Sequence, residues 1–149
     1  MKFHELEVGM VVTHPPIVVE EAEMLAFSRE YDPQWFHLDA ERAREGRWGG
    51  LIASGWMTCS LAMRMAAQTL LRDSDSFGSP GLERLRWVLP VRAGDSLRFE
   101  ATVDHLRISS KRPELGIMRS TWRLFNQRDE LVLEMEAVNL YDLASAQGT

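Results

Sequence analysis

Asp32 and His37 stand with four residues between them in the stretch 31–59, YDPQWFHLDAERAREGRWGGLIASGWMTC. A carboxylate and an imidazole suit general acid–base work, because burial and neighbouring charges can tune both toward neutral pH. Pro33 stiffens the segment that joins them, and Trp35 and Phe36 are expected to shield the pair from bulk water. Taken alone, this spacing reads more readily as a turn-forming Asp before proline and a satisfied core histidine. The next segment of the chain tips the reading toward chemistry. Ser54-Gly55 opens the longest apolar segment, 55–71, which has no internal proline. Only Ser60, Arg64, Gln68 and Arg72 form a polar stripe there, at spacing four. The pattern predicts a helix of about 25 Å, apolar on nearly every side and therefore buried on nearly every side. Arg64 near its middle and its short length exclude a membrane span. Its N-terminus is expected to point at the acid–base pair.

The remaining elements must hold that arrangement. Residues 3–13 alternate weakly around a turn at Gly9, giving irregular chain with at most a short strand. Pro15-Pro16 is expected to stop it, and Ile17-Val18-Val19 reads as a short strand by composition. The period then changes to that of an amphipathic helix over 20–31, with Glu20, Glu21 and Glu23 in the first turn, where they suit the helix dipole. Asp32-Pro33 ends it, since proline drives the preceding residue out of the α region. A short polar helix over 39–47 carries Asp39 as its cap, and Gly49-Gly50 breaks it. Residues 72–81 are loop by composition. From Leu82 the period is two, over 82–90, 97–108, 118–124 and 131–141. A turn at 91–95, a basic loop at 109–114 and a hairpin connection at 126–129 separate these strands, and a frayed tail comes after Asp142. Strands with one apolar face need a cover, and an apolar helix needs a wrapping. One α+β arrangement answers both, a curved antiparallel sheet wrapped around a long central helix, which is the hot-dog fold.

Composition narrows the function classes. The 149 residues are expected to form a single domain, 1–149, with 45% hydrophobic and 26% charged residues and a net charge of −5. No basic face points to nucleic acid. The lone Cys59, inside the apolar helix, excludes an internal disulfide and a cysteine zinc cluster and reads as core. His4, His14 and His105 lack metal-ligand spacing. The N-terminus lacks the apolar core of a signal peptide, so a cytoplasmic protein without membrane contact is the default.

Residues 31–65 resemble the MaoC-like acyl dehydratases, the hot-dog family that includes the (R)-specific enoyl-CoA hydratases. The family signature is an Asp, four residues, a His, one residue and an Asp, and later a small-residue turn ending in Gly at the central helix. Here it is met by Asp32, His37, Asp39 and Ile52-Ala53-Ser54-Gly55. The order of elements agrees, so the resemblance covers nearly the whole chain. Two departures bear on acyl-chain specificity. The Asn-Pro of the best-known form is replaced by Asp32-Pro33-Gln34-Trp35-Phe36-His37, and Ser54 stands where many hydratases carry His.

The resemblance implies addition or removal of water across the 2,3 double bond of an enoyl thioester, with no cofactor beyond the coenzyme A of the substrate. Asp32 would take the proton of the water. His37 would orient that water and handle the proton passed to the α-carbon, with an (R)-hydroxyl as product. Gly55 is the candidate for the oxyanion: the first amides of a helix lack internal partners, and glycine lets a thioester come close. A plain entry turn is the alternative for it. Ser54 reads as the helix N-cap before it reads as a thioester-binding or catalytic hydroxyl. Arg84, Arg86, Arg92, Lys111 and Arg112 are candidates for the CoA phosphates, each also readable as solvated surface. Met57, Met63 and Met65 fit packing or an acyl tunnel. A hot-dog thioesterase is the alternative enzyme, but it places its carboxylate on or beside the central helix, and 54–71 holds no Asp or Glu. A non-catalytic acyl-CoA-binding subunit is the other alternative, against which the intact Asp32 and His37 stand. In each case the partner is a small acyl thioester, and a homodimer or larger homo-oligomer is expected because one curved sheet leaves two open edges.

Overall fold

In the computed structural model, which describes residues 1–144, the alternating segments form one antiparallel sheet. The tail expected after Asp142 lies, for 145–149, outside the described residues. The strands are β1 (Val11–Val18), β2 (Ser76–Gly78), β3 (Leu82–Trp87), β4 (Ser96–Ile108), β5 (Leu115–Phe125) and β6 (Leu131–Asp142). They are ordered β1-β4-β5-β6, and β2 and β3 lie one after the other along the free edge of β6. The period-two pattern sets which face is buried: Leu97, Phe99, Ala101 and Val103 of β4 all point inward, and Leu133, Met135, Ala137 and Tyr141 of β6 do the same. Phe99 and Trp122 meet edge to face at 5.7 Å across β4 and β5.

This face closes over α4 (Gly55–Gln68), the expected central helix. Met57, Leu61 and Met65 form one buried row along it, and Thr58, Ala62 and Ala66 the next. Small residues in the second row let backbone and sheet approach. Each large apolar side chain removed from water here contributes about 1.5–3 kcal/mol. The curled sheet around α4 is the hot-dog fold. α1 (Glu21–Tyr31), α2 (Trp35–Leu38) and α3 (Ala40–Glu45) lie between β1 and α4 in the chain.

Four expectations are corrected. α4 is not buried on every side: Trp56 is 57% and Met63 46% exposed, because the sheet wraps one side of the helix and leaves the other open. It also ends at Gln68, short of Leu71. β1 runs straight through Pro15-Pro16. Its register shifts between His14 and Ile17, and as an edge strand it tolerates prolines that cannot donate to the ladder. Finally, the 72–81 stretch, a loop by composition, contains β2, whose three residues carry no alternation and are held by pairing to β6. Among the described residues, no helix is long and apolar enough to cross a membrane.

The one-sided burial of α4 has a measurable consequence. Met65→Ala, at a site with no exposure, should lower unfolding free energy by about 2–5 kcal/mol. Arg64→Ala, next to it on the open side, loses only an exposed ion pair to Glu23 and should cost under about 1 kcal/mol. Urea titration of the two variants checks the assignment, and equal losses would refute it.

Candidate active site

The end of α1 delivers the carboxylate. Asp32 is its C-cap, with its amide on the Ser28 carbonyl at 3.0 Å, and Pro33 prevents a further turn. The segment after it, expected as loop, winds into the single turn of α2, which carries His37 into the interior, 4% exposed. Asp39 caps α3 as expected, accepting the Arg42 amide at 3.0 Å. On α4's side, the Ala53 amide bonds to the Val91 carbonyl at 2.7 Å, which anchors Ile52-Ala53-Ser54 against the β3–β4 connection.

These elements bring the two predicted side chains together. His37 Nε2 lies 3.1 Å from Asp32 Oδ2. Its Nδ1 lies 2.8 Å from the Ile52 carbonyl oxygen, which can only accept, so Nδ1 carries a proton. Nε2 is thereby turned to the Asp32 carboxylate, a contact that becomes an ion pair when the imidazole is protonated. Asp32 is held by two further donors: Ser54 Oγ to Oδ2 and Gln34 Nε2 to Oδ1, each at 2.7 Å. Burial works to raise the Asp32 carboxyl. The hydrogen bonds from Ser54 and Gln34, with the charge and hydrogen bond of His37, outweigh it and hold the group below its ordinary value.

Ser54 departs from its expected role. It makes no side-chain cap to α4; fully buried, it turns its hydroxyl back to Asp32, because an ionised carboxylate is a stronger acceptor than any neutral group nearby. Gly55 is also explained differently. A Cβ there would lie 2.6 Å from the Trp87 indole, whose Nε1 donates to the Gly55 carbonyl at 2.9 Å. The missing side chain makes room for Trp87. The Gly55 amide keeps its place at the helix start, one turn before Thr58, whose amide bonds to the Ser54 carbonyl.

Asp32, His37 and Gly55 line one cleft of about 460 Å³, walled by Trp48, Trp56 and Trp87. Trp35, expected to shield the site, faces elsewhere. Residues two apart on a helix point to different sides, and its ring packs against Gly46 and lies under the Arg42 guanidinium at 4.3 Å. Phe36 does pack on the His37 ring, at 4.4 Å. Of the five candidate cations, Arg92 neighbours the cleft, where it bonds to the Trp48 carbonyl. Arg84 pairs with Glu136, Arg86 is exposed on β3, and Lys111 and Arg112 are exposed on the β4–β5 loop. Cys59 is half-buried on the open side of α4. His14 bonds to the Pro15 carbonyl and Gln68, and no metal-ligand group occurs among the described residues. Sequence reasoning missed Gln34, Ile52 and Trp87. Gln34 has a weak signal, standing two residues after the Asp; the Ile52 carbonyl has none, since every residue carries one.

Residues 4–119 match the family model described as MaoC like domain. The MaoC-like dehydratase from Rhodospirillum rubrum is 36% identical and superposes with a TM-score of 0.82, covering 93% of this chain and 94% of that one. The (R)-hydratase from A. caviae involved in PHA biosynthesis is 30% identical with a TM-score of 0.72, covering 90% and 96%. The 3-hydroxyacyl-thioester dehydratase Z of Mycobacterium tuberculosis is 35% identical over 88 residues, 58% of each chain, so the match spans little more than half of that relative. The family match takes in Asp32, His37, Ser54 and all of α4, and with that near-complete structural overlap it shows that the chain belongs to the MaoC-like dehydratase family.

Proposed function

We propose that this protein adds water to, or removes it from, the 2,3 position of an enoyl-CoA thioester, using Asp32 and His37 as one proton-sharing unit. Family membership supports acyl-thioester hydro-lyase chemistry in general. The observation that carries the specific reading is the 3.1 Å contact between His37 Nε2 and an Asp32 carboxylate already fixed by Ser54 and Gln34. No other cofactor enters the scheme; coenzyme A arrives with the substrate, and Arg92 is the cation beside the cleft that suits its phosphates.

In the hydration direction, a water held between the pair loses a proton to Asp32 as its oxygen bonds to the β-carbon. The double-bond electrons move toward the α-carbon and the thioester oxygen. The Gly55 amide, at the positive end of α4, faces that oxygen as its charge grows. His37 Nε2 gives its proton to the α-carbon, and Asp32 then passes the proton it took to Nε2. One water is consumed, hydroxyl and hydrogen are placed on adjacent carbons, and the pair returns to its starting state. The Ile52 carbonyl keeps Nδ1 protonated throughout, so only Nε2 takes part. By family likeness the product carries an (R)-hydroxyl, which chiral analysis of hydrated crotonyl-CoA would test.

We also propose a homodimer. The free edge formed by β2 and β3 carries exposed Phe77, Leu82 and Trp87, and the open side of α4 adds Trp56 and Met63. Light scattering at micromolar concentration should give twice the chain mass, and a monomer mass would refute it.

Two variant series test the chemistry. Asp32→Asn and His37→Ala should each lower kcat by about 10²–10⁴, and the double variant should be scarcely worse than either, because a lost water leaves the second group nothing to act on. Additive losses, or near-wild-type turnover in folded Asp32→Asn, would end this reading. Ser54→Ala removes a donor that lowers the Asp32 carboxyl while leaving the burial that raises it. Activity needs the carboxylate, so the acid limb of kcat/KM should move to higher pH. An unmoved limb would separate Asp32 from the titration that controls the rate.

A further inference from the structure

The first amides of α4 are left open. A helix begins with N–H groups that have no internal partner, and a capping side chain commonly takes one of them. Ser54 holds the cap position but gives its hydroxyl to Asp32 instead. The first amide of the helix to find a backbone acceptor is that of Thr58, on the Ser54 carbonyl at 3.1 Å. Among the described residues, the Gly55, Trp56 and Met57 amides have no backbone acceptor. Gly55 and Trp56 both line the cleft that holds Asp32 and His37. More than one donor therefore stands at the space a thioester would enter.

Trp87, at the end of β3, is bonded to this helix start. Its indole Nε1 donates to the Gly55 carbonyl at 2.9 Å. A carbonyl in the first turn of a helix already accepts the amide four residues on, so the indole adds a second bond to an acceptor that is paired without it. The contact also dictates the residue at 55, because a Cβ there would lie 2.6 Å from the indole ring. The Gly55 carbonyl and the Trp56 N–H belong to one planar trans peptide and point in opposite directions. A donor on the carbonyl holds that plane and so aims the N–H away from the helix body. It also polarises the peptide, which strengthens the N–H as a donor. We propose that Trp87 is a positioning residue: through the Gly55 carbonyl it sets the Trp56 amide beside the Gly55 amide, as a second donor to the thioester oxygen. The inference rests on the hydratase reading and adds to it a second donor and the side chain that aims it. Trp87 also stands on the edge assigned to the dimer, but its N–H is directed to α4, so a partner copy against the ring leaves the bond in place.

Trp87→β-(3-benzothienyl)alanine, with sulfur in place of the indole N–H, keeps the shape of the side chain and removes only the donor. With crotonyl-CoA, kcat should fall about tenfold, less than the loss of an oxyanion donor itself, while KM stays within about twofold. The acid limb of the pH profile should not move. Butyryl-CoA has no double bond to hydrate, so its thioester carbonyl can be followed by infrared spectroscopy while bound. In wild type that stretch should lie below its value in the free thioester, and in the variant it should return part of the way. Gly55→Ala, whose Cβ displaces the indole, should lower kcat at least as far, and adding the benzothienyl change to it should make little difference. A change confined to KM, an unmoved carbonyl stretch, or losses that add to those of Gly55→Ala overturn the inference. So does a loss of activity that comes with a lower melting temperature or a changed mass in light scattering, because the indole then serves the fold or the interface. If wild type fails to hydrate crotonyl-CoA, the hydratase reading fails by itself, and the carbonyl stretch alone decides. A wild-type shift that shrinks in the variant sustains the role of Trp87; no shift in wild type, or equal spectra, overturns it.

Discussion

The site depends on one contact, His37 Nε2 at 3.1 Å from Asp32 Oδ2. Neither partner could be placed there alone. A carboxylate taken from water without donors, or an imidazole with both nitrogens unpaired, would be costly. Each is instead satisfied from a different part of the chain. Asp32 receives Gln34 from its own loop and Ser54 from the turn before α4, and His37 gives its other proton to Ile52. Residues 32–37 and 52–54 are thereby tied together by side chains, although they belong to different elements. With the hydrogen bonds from Ser54 and Gln34, the contact holds the Asp32 carboxyl below its ordinary value, so it sets the chemistry as well as the geometry.

The sheet serves this contact at one remove. By burying Met57, Leu61 and Met65 it locates α4 along its whole length, and so locates Ser54 and Gly55 at the helix start. The β3–β4 connection adds the second anchor, Val91 to Ala53. Trp87 then leans over Gly55, and the absence of a side chain there is what permits it. Because the sheet covers only one side of α4, Trp56 stays outside the core and stands at the wall of the cleft.

Much of this is legible in the sequence. Period-two alternation locates β4, β5 and β6 closely, since each has one face on a core and one on solvent. The pair Asp32 and His37, the cap at Asp39 and the start of α4 at Gly55 are equally plain. The rest is hidden for identifiable reasons. Apolar composition predicts that a helix has something to bury, not what buries it, so Trp56 and Met63 look like core. Pro15-Pro16 looks like a stop because edge strands, which tolerate proline, cannot be told from central ones without the sheet order. Ser54 falls to the nearest helix terminus, since local reasoning weighs an adjacent cap above a carboxylate twenty-two positions back. Trp35 looks like a shield from its neighbourhood in sequence, while the turn of α2 sends it to Arg42.

Sharing one proton between two groups also answers a difficulty that any buried acid–base site faces. Creating or removing net charge away from water is expensive, and a single base that takes a proton without giving one up must do so within the reaction. In the proposed reaction Asp32 would gain the proton of the water as His37 released its own, so the unit's total charge would be the same once both transfers were complete. The charge then left to stabilise would be on the thioester oxygen, and the proposal assigns it to the Gly55 amide at the start of α4, whose fixed dipole would need no rearrangement. Ser54 suits this division because it is a neutral donor. It stabilises the Asp32 carboxylate through a hydrogen bond without bringing a second imidazole beside His37 into the cleft.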